Sequence, residues 1–530
     1  MSDLDRARTL FGQGLERHAG GDLPGAEQLF RQANDLAPGR VSIMGNLSTV
    51  LIRQGKIPEA RSWAQQALDL DGNNFEACMN LGACLEKEQQ PAEALALFEK
   101  ASALKPEAAE AWSNRGHALS AMKRHEEALA HYDKAVSLQA SNAEAWTNRG
   151  NALNELGRYR EALASHDKAL AVQPKLAEAW YNRGNALSNL KRDELALTSY
   201  DEALHLQPGH ADAHFNKGLT LLNRCDFAAG WGEYEWRWDS ANFPSRRPDI
   251  DLPEWDGKKT GGGLLAWAEQ GIGDEILYGS MLEEIASRAG RLTVTMDVRL
   301  VALFRRTLPQ LRFLPRDQPI PPGMAEQQVA MGSIGRFLRR TDVQFPRDGK
   351  AWLQADPQRV EALRPRIAVP GKRLIGLSWR SQNVRVGGFK SLALADLLPL
   401  LSQPDLAFVD LQYGDTSDER RALWQSSGID IHHLDDIDNF KDIDGLAALI
   451  DACDAVVTVS NVTTHLAGGL GKAAFQLTPY SRGKLWYWHD GEPRSRWYPS
   501  VRLFRQQADG NWAGALAALI AALQMHHPDG

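Results

Sequence analysis

A period of 34 residues constrains this chain more than any other feature. Stepping by 34 from Met44 lands on Cys78, Trp112, Trp146, Trp180 and His214. Four positions beyond each stand Ser48, Gly82, Gly116, Gly150, Gly184 and Gly218. Two more registers are all alanine, from Ala26 to Ala196 and from Ala33 to Ala203, and Pro38, Pro106, Pro174 and Pro208 punctuate the repeat ends. A fixed period of this length means stacked supersecondary units, each burying its apolar face only against its neighbours. Small residues let two antiparallel helices approach closely, and the large residue fills the gap between adjoining pairs. The stack then winds into a superhelix with a concave face.

The order of large residue, Gly and Leu on a first helix, Ala and Ala on a second, then Pro resembles the tetratricopeptide repeat. Six such repeats are expected within residues 1–210, the first an atypical cap.

One register has no packing explanation. Asn46, Asn80, Asn114, Asn148, Asn182 and Asn216 stand two positions after each large residue, and Asn151 and Asn185 add a second column. Asn lowers helix propensity at mid-helix. In the repeat that begins at Ala177, Glu178, Asn182, Asn185 and Asn189 share one face by their i, i+4, i+7, i+11 spacing, while Trp180, Gly184 and Leu187 take the packing face. A solvated polar face does not account for one residue type recurring six times. An amide offers both a donor and an acceptor, so a column of them suits successive N–H and C=O groups of an extended polypeptide. Similar asparagine ladders line the repeat superhelix of nucleocytoplasmic O-linked N-acetylglucosamine transferases. The expectation is a groove that clamps the backbone of a protein acceptor.

Residues 211–262 read as a degenerate repeat and junction. Trp231, Trp236, Trp238 and Trp255 crowd it, better suited to burying the solenoid end than to stacking on carbohydrate. From Gly263 the pattern alternates strand and helix. "LLAWAEQ" and "RLTVTMD" read as strands, with one amphipathic helix, "DEILYGSMLEEIASRAG", between them. A Pro-rich break around "DPQRVEALRPRIAVPGK" precedes a second series, with strands "RLIGLSW", "LAFVDLQ" and "DAVVTVS". Two βα series imply two Rossmann-like domains, 263–368 and 369–530, the latter with a closing helix, whose parallel sheets face a cleft. Ligands in such sheets bind beyond the carboxyl ends of the strands.

The informative residues fall there. After the first strand, "GIGD" makes a tight turn and puts Asp274 at a helix start facing the cleft, where Asp also serves as a cap. After "RLIGLSW", Arg380, Arg385 and Lys390 among glycines suit a phosphate loop as well as a solvated one. After "DAVVTVS", Ser460, Asn461, Thr463 and Thr464 place hydroxyls and N–H groups at a helix start, a site for an anion. His465 follows, readable as ligand-facing or as a buried helix residue.

Together these motifs resemble the GT-B glycosyltransferases of the lipopolysaccharide heptosyltransferase-like group. Gly273-Asp274 matches the group's first turn, and "TTHLAGGLG" matches its last. The group usually opens that last turn with Asp, whereas Asn461 stands here. With amino-terminal repeats and the tail "LTPYSRGKLWYWHDGEPRSRWYPSVRLFRQ", the chain looks like bacterial protein glycosyltransferases that modify flagellin. The resemblance implies an α-solenoid followed by a GT-B fold. It implies transfer of a sugar, such as a pseudaminic-acid-like nonulosonate, from a nucleotide donor to Ser or Thr of flagellin. The base is expected to be Asp274, with inversion at the anomeric carbon. Leaving-group contacts are expected from Arg380, Lys390, Thr463 and Thr464, and sugar or base contacts from His465, Tyr480, Arg482 and Trp486. The donor is CMP-, UDP- or ADP-linked. A protein-binding adaptor or export scaffold with an inactive transferase half is the alternative.

The remaining exclusions come from composition. At 530 residues the chain exceeds one core, and its net charge of −7 argues against a nucleic-acid-binding body. No run is long and apolar enough to span a bilayer, and the start lacks a signal-peptide core, so a cytoplasmic location is expected. The four cysteines have neither metal spacing nor disulfide density. Asp436, Asp438, Asp442 and Asp444 form DxD strings, common in acidic loops, and no resident metal or cofactor is expected. A homodimer is consistent with exposed superhelix edges.

Overall fold

The computed structural model describes residues 2–321, 323–383 and 386–526. The chain divides into two compact units, Met1–Pro208 and Gly209–Gly530.

The first unit is six antiparallel helix pairs: α1 (Asp3–Ala19) with α2 (Leu23–Leu36), α3 (Val41–Arg53) with α4 (Ile57–Leu70), α5 (Phe75–Lys87) with α6 (Pro91–Leu104), α7 (Ala109–Ala121) with α8 (His125–Leu138), α9 (Ala143–Glu155) with α10 (Tyr159–Val172), and α11 (Ala177–Asn189) with α12 (Asp193–Leu206). The glycine register is steric. A methyl group at Gly82, Gly116, Gly150 or Gly184 would come within 2.7 Å of Phe98, Tyr132, His166 or Tyr200 on the second helix. In the second pair the demand lapses: Ala64 stands where the others carry a ring, and Ser48 fits, its hydroxyl donating to the Ala60 carbonyl.

The Trp register does more than fill gaps. Trp112, Trp146 and Trp180 donate their indole N–H to the carbonyls of Pro106, Ala140 and Pro174, each at 2.9 Å. Arg115, Arg149 and Arg183 lie over those rings and reach back to Glu99, Asp133 and Asp167 on the preceding second helix. This staple, also in 34-residue register, ties each pair to the one before it.

The second unit opens with another hairpin on the repeat plan, α13 (Ala211–Asn223) and α14 (Phe227–Tyr234), then a 3₁₀ turn over Glu235–Trp238. Two of the junction tryptophans, Trp231 and Trp255, are fully buried, and half-buried Trp236 stacks on His214 at 4.1 Å. Then follow β1 (Gly263–Trp267), α15 (Ile272–Gly279), α16 (Leu282–Ala286), β2 (Arg291–Met296), α17 (Val301–Thr307), β3 (Arg312–Pro315), β4 (Gln327–Ala330) and α18 (Gly335–Leu338). These strands form a parallel sheet ordered β3-β2-β1-β4. The single helix expected after β1 is two, broken where Ser280 Oγ donates to the Leu277 carbonyl.

The expected break before the second series is instead helix α19 (Pro357–Ile367), with Asp356 capping it and Pro365 inside its last turn. Beyond it come β5 (Arg373–Ser378), α20 (Gly387–Lys390), α21 (Leu398–Leu401), β6 (Leu406–Asp410), α22 (Ser417–Ser427), β7 (Ile431–His432), α23 (Ile443–Ala452), β8 (Ala455–Val459), α24 (Val462–Gly469), β9 (Ala474–Thr478), β10 (Val501–Arg505) and α25 (Ala513–Gln524). The second sheet is parallel throughout, ordered β10-β9-β8-β5-β6-β7. Each sheet therefore has a point where the strand order reverses, at β1/β4 in the first and β5/β8 in the second.

Candidate active site and peptide groove

In parallel sheets of this kind ligands bind beyond the strand ends where chain order reverses, because the two crossovers there leave on opposite sides. The loops there are those after β1, β4, β5 and β8, and they bring Asp274, Lys390 and His465 together from both sheets.

Asp274 sits in the first turn of α15, half-buried, and accepts the Gly271 N–H at 3.3 Å. The capping role is therefore real, but long. The Tyr487 hydroxyl lies near enough to favour the charged carboxylate. Burial pushes its pKa up to about 6, against the Gly271 hydrogen bond, the pull of the Lys390 charge and that hydroxyl. A carboxylate in this range is suited to take a proton near neutral pH.

Lys390, at the end of α20, is 4% exposed and makes no hydrogen bond or ion pair among the described residues. Burial lowers its pKa, with Asp274 opposing. A buried ammonium without a close counter-ion is costly, so this is where an anionic ligand gains most.

His465 in α24 is 2% exposed and held neutral, with a pKa of about 3 through burial. Its Nδ1 lies 3.2 Å from the Tyr498 hydroxyl, and its ring faces Tyr487 and Trp488. It abuts Gly273 so closely that no side chain fits there. The glycines after His465 pack as expected: a methyl group at Gly468 would strike Tyr498, and one at Gly469 would strike Leu353.

Several expected contacts are placed otherwise. The Arg380 guanidinium turns to the Asp415 carbonyl at 2.5 Å and to Glu419 at 3.4 Å, and so is committed within its own lobe. Arg385 lies outside the described residues. The N–H groups of Thr463 and Thr464 are taken by Asn461, and the Thr464 hydroxyl donates to Val459. The start of α24 is thus less open to an anion than its sequence suggests. The Thr463 hydroxyl, fully buried, has no partner among the described residues. Trp486 is core, packed against Trp231, Tyr234 and Trp497, because the 480s segment folds under the hairpin of α13 and α14. Arg482 stacks on Phe389 at 3.9 Å, beside Lys390. Tyr480 is half-buried, its N–H donating to Gln506. The DxD acids serve arginines: Asp436 binds Arg366, Asp442 binds Arg359 and Asp444 binds Arg306, while Asp438 accepts from the backbone of Phe440 and Lys441.

Sequence reasoning missed Tyr487, the buried ring whose hydroxyl acts on Asp274. It lies in the aromatic run "LWYWH", where nothing marks one ring above its neighbours.

In the first unit, α3 touches α5, α7 touches α9 and α9 touches α11, which puts the first helices on the inner side of the stack. The asparagine column lies along them but is not uniform. Asn80 donates to the Gly45 carbonyl at 2.9 Å and to Thr49, binding α5 to α3. Asn46 donates to Ser42 O, Asn182 to Glu178, and Asn185 accepts from Tyr200. Asn216 belongs to α13 and so to the second unit. Asn114 and Asn148, half-buried on α7 and α9, make no side-chain hydrogen bond among the described residues, and the Asn151 Oδ1 beside them is buried without a partner. A second polar register runs alongside: Glu76, Glu110, Glu144 and Glu178, all exposed, in the same 34-residue step.

The fold defines a helical-repeat chain joined to an α/β unit. Its repeats are tetratricopeptide repeats: residues 17–83, 75–108, 107–175 and 177–210 match family descriptions of that name. The chain is 31% identical over 315 residues to Protein FlbA of Caulobacter vibrioides, covering 56% of this chain and 52% of FlbA. It thus spans about half the length of that curated relative. Among solved structures, YrrB, described as a TPR protein with an unusual peptide-binding site, is 26% identical, covering 36% of this chain and 97% of its own, with a TM-score of 0.30. Pseudomonas aeruginosa pilF is 19% identical, covering 40% of this chain and 97% of its own, with a TM-score of 0.37. Among the described residues no helix is long and apolar enough to cross a membrane.

Proposed function

We propose that this chain is a GT-B protein O-glycosyltransferase that moves a sugar from a nucleotide donor to Ser or Thr of a protein held in the repeat groove. Flagellin is the acceptor proposed, on the motif resemblance. One observation carries the reading: Asp274, from the reversal point of the first sheet, feels the charge of Lys390 from that of the second, which is buried with no hydrogen bond or ion pair among the described residues. The acceptor hydroxyl gives its proton to Asp274 as its oxygen attacks the anomeric carbon. The bond from that carbon to the donor phosphate breaks, and the charge left on the phosphate is met by Lys390 and the Thr463 hydroxyl. One displacement with one base inverts the anomeric centre. Neutral His465 and Tyr498 wall the site, and Arg482 borders it. The unpaired amides of Asn114 and Asn148 support an extended acceptor in the groove.

The test is transfer from CMP-, UDP- and ADP-linked donors to purified flagellin, followed by intact mass. One donor adding a sugar-sized increment with the wild type, and none with Asp274→Asn, supports the reading. Equal transfer by Asp274→Asn contradicts it.

A further inference from the structure

Arg237, in the turn that follows α14, is wholly buried. Its Nε and Nη2 form a two-pronged contact with Glu269, at 3.2 and 3.1 Å, and Glu269 is itself buried just past the end of β1. Nη2 also donates to Ser333 Oγ at 2.7 Å, in the loop after β4, and Nη1 to Glu235 at 2.8 Å. Ser333 closes the circuit onto Glu235 at 3.0 Å, and the guanidinium lies over the rings of Tyr234 and Trp238. One side chain thus holds both loops at the reversal point of the first sheet.

The neighbouring residue explains what is being held. Gln270 takes a left-handed backbone conformation, φ +64°, which side-chain-bearing residues rarely adopt and which persists only where surroundings impose it. The same segment imposes it: the Gln270 N–H donates to Ser245 Oγ at 2.9 Å, and its amide reaches the Tyr234 hydroxyl at 3.4 Å. That bend turns the chain from β1 into α15, where Asp274 stands four residues on. A fully buried ion pair is a weak source of stability, because desolvation offsets its attraction. It is, however, a stiff and directional link.

We infer that Arg237 is a positioning residue for the proposed transfer site: by gripping Glu269 and Ser333 it fixes the bend at Gln270 and so aims Asp274 at the acceptor hydroxyl. This rests on the transferase reading for its catalytic consequence and not for the grip itself.

The test uses the full chain. Removing Arg237 alone strands a buried carboxylate, so the main variant is the apolar pair Arg237→Met with Glu269→Leu, a kind of replacement that commonly keeps a fold. Arg237→Lys is the second variant, retaining charge without the fork. Hydrogen exchange of the segment 268–279 is read by mass spectrometry, beside transfer kinetics. The inference expects faster exchange in 268–274 in both variants, with β1 still protected. It also expects kcat to fall at least tenfold while the donor KM stays within twofold, and the acidic limb of the pH profile to move below that of the wild type. A folded variant with unchanged loop exchange, or with unchanged kcat, overturns it. If the wild type transfers nothing, the transferase reading fails, and exchange alone decides whether Arg237 holds the bend.

Discussion

Gly273 and His465 meet across the two sheets of the second unit: a methyl group on Gly273 would lie 2.9 Å from His465 Cδ2. Glycine there lets the turn after β1 close against α24, which brings Asp274 beside Lys390. Gly273→Ala forces one of the two apart, and overpacking of this kind costs about 1–3 kcal/mol. We expect transfer to fall at least tenfold, as about 1.4 kcal/mol of lost alignment suffices, with a small drop in melting temperature. Kinetics and thermal melting check both.

Asp274 ties activity to stability with opposite signs. Burial lifts its pKa from 3.8 to about 6, so the folded chain holds that proton more tightly than the unfolded chain does. Stability is therefore lost as pH rises from about 4 to 6 and stays lost above, while the carboxylate needed as base appears over the same window. Asp274→Asn is expected to abolish transfer yet unfold later than the wild type at pH 7.5, by about 1–3 kcal/mol. The gain should vanish below pH 4, which denaturation at several pH values measures.

Lys390 gives the complementary case. Its ammonium is buried with no ion pair among the described residues, and Asp274 is the charge that acts on it. Lys390→Met is expected to keep or raise the melting temperature and to cut kcat by about 10²–10³, the range for losing one preorganised group at a developing charge. Reduced activity with reduced stability would mean that the side chain mainly supports the fold.

In the groove, two asparagines of one register are expected to behave differently. Asn80 bonds across to α3, so Asn80→Ala should lower solenoid stability by about 1 kcal/mol. Asn114→Ala with Asn148→Ala removes no such bond. That pair should leave melting unchanged and weaken acceptor binding by about tenfold or more, as titration calorimetry with the acceptor would read. With Glu110 and Glu144 exposed beside them, binding should also weaken as salt rises if the acceptor segment is cationic.

The repeats were legible because structural demands recur: a ring opposite Gly82, Gly116, Gly150 and Gly184, an indole under the turns before α7, α9 and α11. The Arg115, Arg149, Arg183 staple stood in the same register and was open to the same stepping. The second unit was legible at its longest strands and the turns after them, which is where Asp274, Lys390 and His465 stand. Strands of two to four residues such as β3, β4 and β7 are too short to show alternation and escape notice. Arg380 and Trp486 misled because partner choice is tertiary: nothing local shows that Glu419 claims one, or that Trp231 and Trp497 enclose the other. Tyr487 and the Arg237–Glu269 pair were hidden for the same reason, their contacts joining segments far apart in the chain.

The most direct test of the central claim is the intact mass of flagellin from cells lacking this gene, and from the same cells complemented with the wild type or with Asp274→Asn. The account predicts regular sugar-sized increments with the wild type and none in the deletion or with Asp274→Asn. Increments that persist in the deletion, or that Asp274→Asn restores, would contradict it.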